Sequence, residues 1–189
     1  MRHDKRTSVL VLGVLLGAAS QASVPATFPE SVVTDGTTLV KNGEGLRTTT
    51  IFNVKVYRAA LYVPEKSSDA DQILASSGPK RLDMRFFRNV SAGDMREAWE
   101  ENFRENCTER CEAGLGELGK IKSWMRDAKE GDVLSVDFRP DGVRLALNGE
   151  TLGRTTEKAV DGVFPRQLLS IWLGKRPPNG ALKDGLFGR

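Results

Sequence analysis

The stretch from Leu46 to Val63 constrains this chain more than any other. It is crowded with Thr, Val, Ile, Phe and Tyr, residues that suit a pleated, half-buried surface. It is long enough for two strands, or for one strand with a bulge. A chain built around it must make a sheet and must cover at least one face of that sheet. The residues before it fit the same plan. Val32 and Val33 lead to a turn at Asp35-Gly36, Thr37 to Lys41 reads as a strand, and Asn42-Gly43-Glu44-Gly45 reads as a tight turn.

Downstream, short helical and extended patterns alternate. Ser68 to Ser76 reads as a capped helix with Ile73 and Leu74 inward, ended by Gly78-Pro79. Leu82, Met84 and Phe86 alternate with Asp83, Arg85 and Phe87, the pattern of a half-buried strand. Ser91 followed by Asp94 is a capping-box-like start, and Met95, Ala98, Trp99 and Phe103 then recur on one helical face. A second helix is expected over Leu115 to Asp127. Val133 to Phe138 and Val143 to Leu147 flank Pro140-Asp141-Gly142, and Asn148-Gly149 is a strong two-residue hairpin signal before Thr151 to Arg154. A last long helix is expected from near Asp161, presenting Phe164, Leu168, Ile171 and Trp172, with Gly174 as its cap and Pro177-Pro178 barring continuation. A short helix over Gly180 to Phe187 closes the chain. Neighbouring strands with separate helices indicate an α+β fold, an antiparallel-rich sheet covered on one face by a layer of helices. The cleft between the two layers is the natural ligand site.

The N-terminus reads as a targeting segment. Arg2, Lys5 and Arg6 precede an apolar run from Val9 to Ala19, and Ser20 and Ala22 supply small residues before a cleavage site. The run is too short to cross a bilayer as a helix. The expectation is a signal peptide over residues 1–22, a domain over Ser23 to Arg189, and a periplasmic protein with no integral membrane span after cleavage. Met1 to Arg6 carries a local net charge of +2, which leaves the rest of the chain at +1. That balance gives no support for nucleic-acid binding, which needs a dense basic patch.

Cleavage would also remove His3, the single histidine of the chain. Ser-His-Asp catalysis, Cys-His catalysis and His-based zinc sites are then excluded. No catalytic residue, metal site or cofactor is assigned. Cys107 and Cys111 are four apart near the end of the first long helix, a spacing that fits disulfide reach but not the C-x-x-C redox motif. A local disulfide and two free thiols both remain open. Arg47, taken alone, reads as an exposed arginine at a strand end, and Tyr57 as a half-buried sheet residue.

A family resemblance bears on these two residues. Asn42-Gly43-Glu44-Gly45-Leu46-Arg47, followed by Lys55-Val56-Tyr57-Arg58-Ala59-Ala60-Leu61-Tyr62-Val63, resembles the bacterial chalcone isomerase-like family. Pro79-Lys80-Arg81-Leu82, Ala98-Trp99-Glu100-Glu101-Asn102-Phe103 before Asn106-Cys107, Gly131-Asp132-Val133, Leu147-Asn148-Gly149 and Ile171-Trp172-Leu173-Gly174 continue the likeness in order. The resemblance implies an open-faced β-sandwich and relatives that are either chalcone isomerases or noncatalytic fatty-acid binders. It also implies that Arg47 points into the cleft. The isomerases' strand threonine falls at Tyr57, their helix tyrosine at Trp99, and one of their asparagines at Asn106. A hydroxyl residue of the last helix is replaced by Ile171, with Ser170 adjacent.

Arg47 with Tyr57 resembles the fatty-acid binders, where such a pair holds a carboxylate. The leading expectation is therefore an exported, non-catalytic binder of a fatty acid or similar amphipathic carboxylate. Arg47 and Tyr57 would anchor the head group, and Trp99, Phe103, Asn106 and the last helix would line the cleft. Two alternatives stand beside it. One is an accessory or interaction protein whose cleft is filled by its own side chains. The other is an intramolecular lyase acting on a phenolic enone.

Overall fold

A computed structural model describes residues 27–49, 52–156 and 162–189. The proposed signal peptide lies outside these residues, as does Asp161 itself; the last long helix, expected from near Asp161, begins at Phe164. Among these residues seven strands form one antiparallel meander: β1 (Ser31–Thr34), β2 (Thr37–Thr49), β3 (Val54–Val63), β4 (Lys80–Phe86), β5 (Val133–Arg139), β6 (Gly142–Leu147) and β7 (Glu150–Arg154), paired in chain order. Five helices accompany them among the described residues: α1 (Ala70–Ala75), α2 (Ala92–Asn106), α3 (Cys111–Trp124), α4 (Phe164–Leu173) and α5 (Gly180–Leu186).

One difference from the sequence reading lies in β2. Asn42-Gly43-Glu44-Gly45 is not a turn; β2 runs straight through it, with a bulge between Lys41 and Gly43. The glycines serve close approach instead. A Cβ on Gly43 would collide with the Gly185 carbonyl, and one on Gly45 with the Leu182 carbonyl, so α5 rests directly on the β2 backbone. Asn42 fixes the same contact, its Nδ2 donating to the carbonyls of Ser67 (2.9 Å) and Leu186 (2.8 Å). The Asn148-Gly149 hairpin forms as expected, both residues at positive φ (50° and 83°).

The helices cover one face. Ala59, Leu61, Leu82, Met84, Leu134, Val136, Phe138 and Leu145 point at them from alternate strand positions and meet Phe103, Leu118, Leu168 and Trp172 in the main core. α4 occupies the centre of that layer, with Arg166 its one residue outside the buried set. Its buried set includes two polar residues, Gln167 and Ser170, so the helix is enclosed around nearly its whole circumference.

On β4 and β5 the opposite face is also shielded, with Asp83, Ser135 and Asp137 buried. The sheet curls so that Thr34 of β1 donates to Asp137 of β5 (3.2 Å), and Asp35 pairs with Arg139. Arg81 binds Asp83 (2.7 Å) and Ser135 (2.9 Å), while Arg144 binds Asp137 (2.8 Å). The alternation along β4 therefore separates an apolar buried face from a polar buried one. Nearby, Phe28, Leu39, Ala60 and Tyr62 form a second small core.

Candidate ligand-binding site

β2 and β3 set Arg47 directly opposite Tyr57, and β4 sets Phe86 opposite Tyr57 on its other side. All three line a cavity of about 320 Å³ between the sheet and the helices. α2 contributes Trp99, Met95 and Asn102, and α4 contributes Ile171 and Trp172. The Tyr57 and Phe86 rings meet edge-on at 5.8 Å, and Trp99 and Trp172 meet at 5.0 Å with planes at 90°. The walls are thus aromatic and held in T-shaped contacts.

Polar groups at the sheet end are arranged as donors. The Trp172 indole nitrogen donates to the Tyr57 phenol oxygen (3.1 Å). With an indole donor on its oxygen, the phenol has its own proton to give, and no described residue takes it. Burial pushes the phenol above its usual range, against the opposing pulls of the Trp172 bond and the Arg47 charge, so it stays protonated. Arg47 uses Nη1 for two backbone carbonyls, Thr48 (2.7 Å) and Pro178 (2.8 Å). Neither neutralises its charge, and no described carboxylate pairs with it. A guanidinium beside an apolar cavity without an anion is costly. Asp94 is the one carboxylate among the lining residues, which include two arginines, Arg47 and Arg88, and it forms an ion pair with neither.

The residues singled out in the sequence divide into two groups. Arg47, Tyr57 and Trp99 come together on the cavity, as does Ile171. Phe103 and Asn106 do not line it. Phe103 is fully buried in the core against Phe164 (6.3 Å). Asn106 ties the end of α2 to the segment after α4, donating to the Arg176 carbonyl (2.7 Å) and accepting from its N–H (2.9 Å). Ser170 turns its hydroxyl back to the Gln167 carbonyl (2.6 Å). Arg88 and Asn102 are wall residues that the sequence did not single out. Arg88 follows Phe86-Phe87 past the end of β4, where alternation no longer predicts direction.

Cys107 and Cys111 form a disulfide, with Cα atoms 5.8 Å apart. They do not share a helix. Cys107 caps the end of α2 and Cys111 opens α3, with Arg110 between them at φ 48°. The bond closes a sharp corner away from the cavity. Among the described residues no cluster of three His, Cys, Asp or Glu could hold a metal, and no helix is long and apolar enough to cross a membrane.

A curled antiparallel sheet, helices over one face and a cationic aromatic cavity between them define an open-faced β-sandwich with a ligand-sized cleft. Residues 21–188 match the family model described as chalcone isomerase-like, and the chain belongs to that family. Among solved structures it is similar to the crystal structure of an Arabidopsis thaliana fatty-acid-binding protein, at 15% sequence identity over 85% of this chain and 91% of that one, with a TM-score of 0.60. At that identity the likeness is one of fold. No curated protein matches by sequence.

Proposed function

We propose that this chain is an exported, periplasmic, non-catalytic binder of a fatty acid or similar single-chain carboxylate. The observation that carries the proposal is Arg47, unpaired with any described carboxylate, beside a Tyr57 whose phenol proton is free to donate, both on one aromatic cavity. A carboxylate would accept from both groups in charge-assisted bonds. The fatty-acid-binding neighbour supports the same ligand class. The cavity's size, about 320 Å³, sits at the small end of ligand sites, which run from roughly 300 to 1,000 Å³, and favours one acyl chain over two. Burying ten methylenes contributes about 8 kcal/mol, the scale of a micromolar dissociation constant, and the carboxylate's bonds to Arg47 and Tyr57 offset part of the ordering cost.

The filled-cleft alternative requires that Tyr57 and Trp99 close the space, whereas both stand on its walls. The lyase alternative lacks the threonine and tyrosine that the resemblance associates with catalysis. Calorimetric titration with dodecanoate tests the proposal. Binding should weaken at least thirtyfold in an Arg47→Ala, Tyr57→Phe double variant, while dodecanol binding changes little. Equal dodecanoate affinity in the wild type and the double variant removes this site as the carboxylate anchor.

A further inference from the structure

Four large apolar side chains are exposed among the described residues, and three gather at one corner of the sheet. Phe52 (81% exposed) and Val54 (38%) lie at the β2–β3 connection, and Phe87 (38%) follows β4. Backbone pairing holds them together: Thr49 is opposite Val54, and the Phe87 N–H bonds to the Val56 carbonyl (2.9 Å). Lys55 and Arg88 are exposed beside them, and neither has an ion-pair partner among the described residues. Thr49, Val56, Phe86 and Arg88 also belong to the wall of the ligand cavity, so this corner is one of its borders.

We propose that this corner docks on an anionic phospholipid bilayer. Phe52 and Phe87 enter the interface between headgroups and acyl chains, and Lys55 and Arg88 sit against the phosphates. The charges complement such a surface, and the apolar groups project from strand ends rather than forming a flat face. A stable protein interface needs about 800 Å² per partner, far more than two phenylalanines and a valine provide. A membrane interface instead rewards each inserted side chain and each basic residue separately. That the docked cavity exchanges a single-chain carboxylate with the bilayer rests on the ligand reading above; the docking itself does not.

The test is vesicle flotation with protein purified from the soluble fraction after export. Vesicles of phosphatidylcholine alone are compared with vesicles containing one-third phosphatidylglycerol. The expected result is at least fivefold more bound protein on the anionic vesicles, reduced by high salt. A Phe52→Ser, Phe87→Ser variant should lose at least fivefold of that binding. A Lys55→Glu, Arg88→Glu variant should lose the preference for phosphatidylglycerol. Circular dichroism and melting temperature confirm that each variant is folded, and Phe52→Ser alone serves if the double variant is not. Equal binding to both vesicle types, or wild-type binding by the folded phenylalanine variant, overturns the proposal. Arg47→Ala separates the two readings, since it should weaken dodecanoate binding and leave flotation unchanged. Dodecanoate binding without flotation overturns the docking alone, and flotation without dodecanoate binding overturns the ligand reading alone.

Discussion

The Trp172 indole N–H donates to the Tyr57 phenol oxygen at 3.1 Å, joining the central helix to the sheet across the candidate cavity. The bond settles the direction in which the phenol can act. Its oxygen is engaged, and its proton is available to a ligand. Trp172 is also the largest fully buried side chain, in contact with Trp99 and Phe138. One residue therefore joins packing to the polarity of the site.

Trp172→Phe should separate these roles. The ring stays apolar, and the donor to Tyr57 is lost. Dodecanoate affinity is expected to fall about 5- to 10-fold, equivalent to one neutral hydrogen bond of about 1 kcal/mol. Stability should fall as well, because a smaller ring leaves a void in the core. Titration calorimetry beside thermal melting reads both, and unchanged affinity in a folded variant would show that the bond does not orient the phenol for the ligand.

Gly45→Ala tests the seat of α5. The added methyl would meet the Leu182 backbone carbonyl, which cannot rotate away as a side chain would. A cost of about 1–3 kcal/mol or more is expected, as for overpacking elsewhere. Chemical denaturation measures it. Gly116→Ala is the comparison, because open space surrounds a Cβ there and the change removes a helical glycine. That substitution should be neutral or stabilising.

Lys80 gives a pH prediction. Its amine is almost fully buried and donates to the carbonyls of Ser76 (2.6 Å) and Gly78 (3.0 Å). Desolvation lowers its pKa from the usual 10.5 to about 8. Between those values the unfolded chain holds a proton that the native chain has lost, so stability rises with pH through this window. Relative to Lys80→Met, the wild type should gain up to about 3 kcal/mol between pH 7 and pH 10.5. Urea unfolding of both proteins across that range checks it, and a constant difference would contradict it.

Reduction of the Cys107–Cys111 disulfide should cost little. So short a loop constrains the unfolded chain by only about 2 kcal/mol in the loop-closure picture. In a domain of this size that lowers the melting temperature by roughly 4–8 °C. The bond joins α2 to α3 and touches no cavity wall, so dodecanoate affinity should be unchanged in the reduced protein. Calorimetry with and without a thiol reductant measures both quantities.

Much of the architecture was legible in local chemistry. Ser91 accepts from the Asp94 N–H and starts α2 where the capping pattern placed it. The hairpin at Asn148-Gly149 and the burial of Leu82, Met84 and Phe86 also followed from residues near each other in sequence. Arg47 and Tyr57 stood out through their family resemblance, and cross-strand pairing brings them together. The start of α3 at Cys111 was less legible, because Gly114 and Gly116 weaken the helical signal ahead of Leu118.

By itself, then, the sequence determined the α+β class, the Ser91 cap of α2, the Asn148-Gly149 hairpin and the alternation that gives a strand such as β4 an inner face. These depend on backbone preference and on periodicities of two and 3.6, which neighbouring residues express without outside help. Tertiary structure alone decided that Gly43 and Gly45 carry a helix rather than a turn. It also decided that Asp83 and Asp137 are buried, and that Asn106 braces a corner while Trp172 reaches Tyr57. Several of those outcomes depend on a partner more than 50 residues away, such as Asn106 with Arg176 (70 apart), Thr34 with Asp137 (103 apart) and Tyr57 with Trp172 (115 apart). Such meetings follow from sheet curl and helix placement, which no local pattern encodes.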